Sequence, residues 1–414
     1  MNNRETFRTS RTRGGMATVR VAPAHEDGAG VEMTVQAGGQ TDRVYFRSDD
    51  IGLLPLVDAA LPACFLACMF SAWDLEVEGP VSQRLLEAMP KVGDIYHAWY
   101  PEATGIAIRN PMGVTRPPAK NKRVGLFFSG GIDSSYSLLQ HLQEITDLIF
   151  VHGFEARAED EPAYQMVAEK LRSAGRQLGK SVIFVESNLR SYLRSFKLRW
   201  DQHANGPALA AVGHLLGSHF ARIYIAGSSS YDQLQPKSAH PLLDPLWSSE
   251  SLEFVHDGCE ANRLEKTLSV ADDERALTWL RPCSNSTVNH YNCGRCTKCV
   301  MAMINLMAAG ALERCTTLPH KVGVWRIITA PFLSETSRLR VRETLAMLAG
   351  KPQFRSVAVA LRVADLRGTL VRRLRARVTG RFPAVRAGIR VVRRLLGRGS
   401  PRGAAAEQDT WAAA

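Results

Sequence analysis

Twelve residues, Val124 to Ser135, carry the first chemistry legible in the chain. The apolar run Val124-Gly125-Leu126-Phe127-Phe128 stops at Ser129-Gly130-Gly131. Asp133, Ser134 and Ser135 follow, then the helix-like stretch Tyr136 to Leu142. A buried strand, a glycine turn and a helix N-terminus in succession gather backbone N–H groups and the positive end of a helix dipole at one place. That arrangement suits a phosphate or pyrophosphate. The plainer alternative is a turn that only joins a strand to a helix. A second segment, Ala174-Gly175-Arg176-Gln177-Leu178-Gly179-Lys180-Ser181, nearly spells another phosphate loop, but Ala174 stands where its first glycine belongs. It also runs from helix to strand, the reverse of what such a loop needs, so a glycine-capped helix end accounts for it.

The cysteines give the second signal. Four of the eight (Cys283, Cys293, Cys296 and Cys299) fall within seventeen residues, spaced C-x9-C-x2-C-x2-C with Gly294 in the first short turn. Thiolates two residues apart across such a turn can grip one ion, Cys299 at a helix start supplies a third sulfur and Cys283 a fourth. Four sulfurs make a closed, structural Zn²⁺ site. An Fe–S cluster is the rival, since the last three cysteines resemble the opening of a ferredoxin-type run, but no Cys-Pro follows them.

Ser129-Gly130-Gly131-Ile132-Asp133-Ser134 resembles the SGGxDS pyrophosphate loop of the PP-loop ATP pyrophosphatases. With the cysteine spacing added, residues from about 124 to 305 are similar to the 7-cyano-7-deazaguanine synthase branch of that superfamily. The resemblance implies cleavage of ATP to AMP and pyrophosphate. A carboxyl or carbonyl oxygen of the acceptor is adenylated, and a nitrogen or sulfur nucleophile then displaces AMP. It further implies that Ser129, Gly130, Gly131, Ser134 and Ser135 cradle pyrophosphate, and that Asp133 and Asp232 position Mg²⁺ or cap the helix. Gly227 would open a second phosphate-side loop, Gly227-Ser228-Ser229-Ser230-Tyr231-Asp232. His152 and Glu155 would meet adenine or ribose, and Lys266 would offset developing negative charge. Plainer readings stand beside these: a solvated loop acid for Glu155, a serine-rich turn with an Asx cap for 227–232, and a solvated surface lysine for Lys266. The chain departs from that branch in its N-terminal segment, its Arg-rich tail and residues 236 to 250.

The leading expectation is thus an ATP pyrophosphatase-type ligase that adenylates a small molecule for C–N bond formation with ammonia or an amine. The cofactors would be ATP, Mg²⁺ and Zn²⁺. An alternative within the superfamily is tRNA sulfur transfer, with Cys259 or Cys315 as the only cysteines left to carry a persulfide. A third, from another class, is a non-catalytic nucleotide-binding scaffold.

The elements that must position these residues are legible in outline. Apolar strands at 124–128, 148–154, 182–186 and 222–226 alternate with helical stretches at 133–145, 161–179 and 207–219. That pattern predicts a Rossmann-like α/β fold with a parallel sheet, whose ligands sit at the carboxyl ends of its strands. His240 to Trp247 reads as an ordered loop, a lid or a substrate wall. Residues 17–120 predict a small α+β domain, with strands near 18–21, 31–35, 43–46, 74–77 and 105–109 and helices near 53–70 and 81–89. Cys64 and Cys68, four apart, share an apolar helix face and read as core. Residues 117–122 read as a linker, 121–330 as the ATP domain, and 331–414 as a basic helical tail, disordered after about 400.

Charge is unevenly spread. Between Lys351 and Arg402 fifteen basic residues face one acid, a net +14 of the chain's +12, so the remainder carries −2. Within the tail Val371, Leu374, Val378, Phe382, Val385, Ile389, Val392 and Leu395 recur at helical spacing among arginines, interrupted at Pro383. RNA phosphates, an anionic membrane surface and the enzyme's own body are all candidate contacts. The polar start of the chain lacks the apolar core of a secretory signal, residues 1–16 read as disordered, and clustered free cysteines fit a reducing cytoplasm. A cytoplasmic location follows, with peripheral membrane attachment through the tail and a homo-oligomer left open.

Overall fold

A computed structural model describes residues 14–24, 30–109, 112–115, 123–154, 161–287 and 290–381. The expected linker at 117–122, Glu155 and the tail beyond 381 lie outside the described residues. The chain divides into two compact units, the first ending at Asn262 and the second beginning at Arg263.

The first unit opens with an antiparallel meander, β1 (Gly15–Pro23), β2 (Gly30–Ala37) and β3 (Gln40–Arg47). Then come α1 (Ala60–Ser71), β4 (Trp73–Val77), β5 (Pro80–Ser82), α2 (Gln83–Trp99), β6 (Ile108–Arg109) and β7 (Met112–Val114). The α/β part follows with β8 (Val124–Phe127), α3 (Ile132–Gln140), β9 (Asp147–His152), α4 (Glu161–Leu178), β10 (Ser181–Ser187), α5 (Leu189–Ser195), α6 (Asn205–Leu215), β11 (Arg222–Ala226) and β12 (Glu253–Asp257). Ten strands make one mixed, mostly parallel sheet in the order β12-β11-β8-β9-β10-β3-β2-β1-β4-β6.

From β12 to β10 every pairing is parallel, as the apolar, both-faces-buried strands predict. In that half β8 comes first in sequence, β9 and β10 extend to one side, and β11 and β12 to the other. The strand order therefore reverses between β8 and β11, which makes a crevice at their carboxyl ends.

β5 and β7 pair as a separate two-stranded parallel sheet, but the other N-terminal strands join the large sheet. β3 pairs antiparallel with β10 through Arg47 and Phe46 opposite Glu186 and Ser187. Tyr45 Oη donates to Glu186 Oε1 at 2.9 Å, and the Tyr45 N–H donates to Asn188 Oδ1 at 2.9 Å. These bonds occupy the carboxyl end of β10, one of the strand ends expected to face a ligand. The helix expected from Leu53 starts only at Ala60. Pro55 disfavours helix just before it, whereas Pro62 sits in the first turn of α1 where its missing N–H costs nothing. α1 is apolar on every side and almost wholly buried, so Cys64 and Cys68 are core residues. Burial pushes the Cys64 thiol up to about 12.

The second unit is helical: α7 (Arg263–Ala271), α8 (Ala276–Trp279), α9 (Thr297–Ala308), α10 (Val324–Thr329), α11 (Glu335–Leu348) and α12 (Arg355–Arg381). Val300, Met303, Ile304 and Leu306 of α9 form its core with Val270 of α7 and Val341 of α11. A hydrogen bond from Thr344 Oγ1 to Asn305 Oδ1 at 2.9 Å ties α11 to α9 inside that core. No helix among the described residues is long and apolar enough to cross a membrane.

Candidate functional site

The glycine loop lies at the crevice. β8 ends at Phe127, and the Phe128 N–H donates to the Ile149 carbonyl at 2.8 Å, holding the start of the loop against β9. Gly130 then takes φ 71°, a left-handed conformation that costs any residue with a Cβ, and the chain turns straight into α3. Ser129 and Ser134 brace the turn. The Ser129 N–H donates to Ser134 Oγ at 3.4 Å, the Gly131 N–H to Ser129 Oγ at 3.3 Å, and Ser134 Oγ–H to the Gly131 carbonyl at 3.2 Å. The Ser135 N–H donates to the Gly131 carbonyl at 2.8 Å and closes the first turn of the helix. The N–H groups ahead of it have no carbonyl in their own helix, so this end carries the positive end of the helix dipole. Ser134 and Ser135 are buried and Asp133 is half-buried in the same turn.

The neighbouring strand, β11, ends in the second expected loop. The Gly227 N–H donates to the Asp257 carbonyl at 2.7 Å, and the Tyr231 N–H to the Cys259 carbonyl at 2.7 Å. Asp232 is exposed and accepts a hydrogen bond from Ser230 Oγ at 2.6 Å. Lys237 brings a cation to this loop, its Nζ 3.4 Å from both Ser228 Oγ and Ser229 Oγ. Lys237 is not among the site residues expected from the sequence. The available signal was a lone lysine a few residues beyond a serine-rich strand end.

A second group was missed as a group. Asp244 Oδ2 lies 2.6 Å from His256 Nδ1, with both side chains buried. The His256 imidazole also hydrogen-bonds the Cys259 thiol. Burial alone pushes the His256 pKa down, but the bonds to Asp244 and Cys259 outweigh it and raise the pKa to about 9, so the ring is an imidazolium at neutral pH. A Cβ built on Gly227 would stand 2.6 Å from His256 Nε2 and 3.3 Å from Cys259 Sγ, so only glycine lets the β11 loop pass over this pair. The ordered loop expected at 240–247, a lid or a substrate wall, is a tightly packed segment. Asp244 and Trp247 are fully buried, His240 nearly so, and His214 Nε2 bonds the Trp247 carbonyl at 2.8 Å. Of the large side chains there, Leu242 alone is exposed.

His152 ends β9, the strand on the other side of β8. Its ring is buried and stacked on Tyr164 at 3.9 Å between centroids. Lys266 belongs to α7 of the second unit, where its side chain is fully buried, so the solvated-lysine reading does not hold.

The second unit also carries the metal-ligand cluster. The sulfurs of Cys283, Cys293, Cys296 and Cys299 all lie within 4.8 Å of one another. Three of their separations are 3.3, 3.7 and 3.8 Å. A tetrahedron with sulfur about 2.3 Å from Zn²⁺ has edges of about 3.8 Å, so the four thiols can hold a metal ion and fit zinc. Gly294 at φ 67° makes the short turn, and Cys299 enters from the first turn of α9. Asn292 Nδ2 bonds the carbonyls of Leu280 and Thr317, each at 3.0 Å, and fixes the loop that carries Cys293. Hydrogen bonds from the Cys283 thiol, and then from Cys296 and Cys299, hold the Cys293 pKa far below the ordinary thiol range.

No protein-family model, no curated protein and no solved structure matches the chain.

Proposed function

We propose that the chain is an ATP-dependent, AMP- and pyrophosphate-forming enzyme of the PP-loop type. It adenylates a carboxyl or carbonyl oxygen of a small molecule for attack by ammonia or an amine. The observation that carries this reading is the placement of Ser129-Gly130-Gly131-Ile132-Asp133-Ser134. It occupies the point where the sheet reverses its strand order, with a left-handed Gly130 opening the N-terminus of α3. In this reading the loop N–H groups and the hydroxyls of Ser129, Ser134 and Ser135 hold pyrophosphate. Asp133 and Asp232 position Mg²⁺, which favours one or two carboxylates with phosphate oxygens. Lys237 adds a positive charge on the neighbouring loop. The site would act through orientation and charge stabilisation, and a neutral amine needs no general base. Zinc at the four cysteines would hold loop geometry and take no part in the reaction.

The test is pyrophosphate release from ATP in a screen of carboxylated small molecules with ammonium present, comparing wild type with Asp133→Ala. Stimulated release of AMP and pyrophosphate that Asp133→Ala abolishes is the expected result. Release of ADP and orthophosphate would sink the reading.

The Asp244–His256–Cys259 arrangement favours a second reading, sulfur transfer. Cys259 neighbours the buried Asp244–His256 pair, and a cysteine sulfur is the group that carries a sulfane sulfur in such a transfer. Cys259→Ser discriminates the two readings: full activity with an amine keeps the first, and loss of activity only with a persulfide donor selects the second.

A further inference from the structure

α12 packs one face inside the second unit and shows a second apolar face to solvent. Its inner side is Val357, Ala360, Leu361 and Ala364, all buried, together with Gly368, where a Cβ would stand 2.2 Å from the Phe332 carbonyl oxygen. On the opposite side Val359, Val363, Leu366, Leu370 and Leu374 are between 43% and 61% exposed. Their spacing of four, three, four and four residues keeps them within roughly 80° of the helix circumference. A surface helix ordinarily turns polar residues outward, so a continuous outward stripe of valine and leucine marks an interaction face.

The stripe does not stand alone. Trp325 on α10, which packs against α12, is 77% exposed, and its neighbour Val324 is 41% exposed. A shallow groove lined by Val324, Ile328, Pro352, Val359 and Ala360 joins these residues to the stripe. Arg355, Arg362 and Arg373 are exposed along one flank. The sequence continues with nine arginines and no acid from Arg375 to Arg402.

We propose that this face docks the protein on an anionic lipid surface, with α12 lying in the headgroup plane and Trp325 at the interface. A leucine-valine stripe bordered by arginines is what such a plane accepts, and tryptophan favours that depth. An RNA backbone would engage the arginines and leave the apolar stripe without a role. A second copy of the chain would bring two arginine-bordered faces together, which charge opposes.

Co-sedimentation of the full chain with vesicles tests this, using phosphatidylcholine alone and a 3:1 mixture with phosphatidylglycerol. Binding to the mixed vesicles at least about tenfold tighter than to phosphatidylcholine is expected, weakening with added salt. The double variant Leu366→Glu/Leu370→Glu should lose at least about tenfold of that binding with an unchanged melting curve, because both side chains are exposed. Trp325 gives an independent reading: mixed vesicles should blue-shift the wild-type emission, and Trp325→Phe should lack that component. Absent vesicle binding would overturn the proposal, as would vesicle binding that the double variant leaves intact. Self-association that the double variant abolishes, or tight binding of an RNA oligomer with no binding to mixed vesicles, would overturn it in favour of those partners.

Discussion

The loop after β8 and the cysteine turn before α9 use one backbone device for opposite charges. Each places a glycine in the left-handed region, Gly130 at φ 71° and Gly294 at φ 67°, and each leads at once into a helix N-terminus. At Ser129 the side chains are short hydroxyls that brace the turn and leave the helix end facing the crevice, a setting for an anion. At Cys293 the turn folds inward so that four sulfurs converge, a setting for a cation. The helix dipole favours an anion at the first site, and at the second it favours the thiolates that a metal requires. Backbone geometry therefore sets where a ligand goes, and side-chain type sets its charge.

The comparison breaks first at the cysteines. Cys299→Ser removes one of four sulfurs from a closed site, and structural zinc is worth on the order of 10 kcal/mol or more of folding free energy. Bound metal should fall from about one ion per chain to a small fraction, and the helical signal should melt more than about 10 °C lower. Cys259→Ala, outside the cluster, should keep its metal. A Cys299→Ser protein with undiminished metal would show that the four sulfurs are not one site.

The two glycines make a matched pair. A left-handed alanine costs about 1–2 kcal/mol at either position. A Cβ on Gly294 would additionally press on Pro319 Cγ at 3.2 Å. Gly130→Ala should lower pyrophosphate release about 100-fold, close to 3 kcal/mol of transition-state stabilisation, and leave metal content unchanged. Gly294→Ala should weaken metal retention under chelator challenge while the Ser129 loop still binds ATP. Crossed outcomes, with Gly130→Ala losing metal or Gly294→Ala losing ATP, would end the division of labour between the two turns.

Between those extremes lies the buried pair under the β11 loop. Asp244→Asn strands the His256 charge and should cost about 3–5 kcal/mol. His256 is raised from 6.5 to about 9, so its contribution to stability is full below pH 6.5 and declines as pH climbs towards 9. On the acid side His203 and His240 are each lowered to about 4, first by burial, so their contribution is present above pH 6.5 and is lost as pH falls towards 4. Melting temperature should therefore decline on both sides of pH 6.5, and Asp244→Asn should flatten the alkaline limb alone. An alkaline limb unchanged in Asp244→Asn would show that the pair does not set it.

Both turns were legible in the sequence because each needs a glycine, a helix start and a dense set of one side-chain type within a few residues. β8 to β11 were legible because a strand buried on both faces is a continuous apolar run. β12 was not: Glu253-Phe254-Val255-His256-Asp257 carries two apolar residues in five, so the strand that carries His256 gave no such run. The junction of β3 with β10 was hidden for another reason. It depends on pairing between segments far apart in sequence, which neither periodicity nor composition reports. The burial of Lys266 was likewise unreadable, since a lysine in a helical segment looks the same whether its stem points to water or to a core.

Lys237 gives the smallest and sharpest test, because it asks whether the second loop shares the anion chemistry of the first. Its ammonium lies beside two serine hydroxyls and is half-buried. Lys237→Met keeps the length of the stem and removes the charge, so the fold should melt within about 2 °C of wild type. If the loop after β11 faces the phosphates, the Kd for ATP should rise about three- to tenfold, near 1 kcal/mol, and the salt dependence of binding should shrink. Unaltered ATP affinity with the same salt dependence would detach the β11 loop from the phosphate site. The helix end after Ser129 would then hold the anion with its own donors.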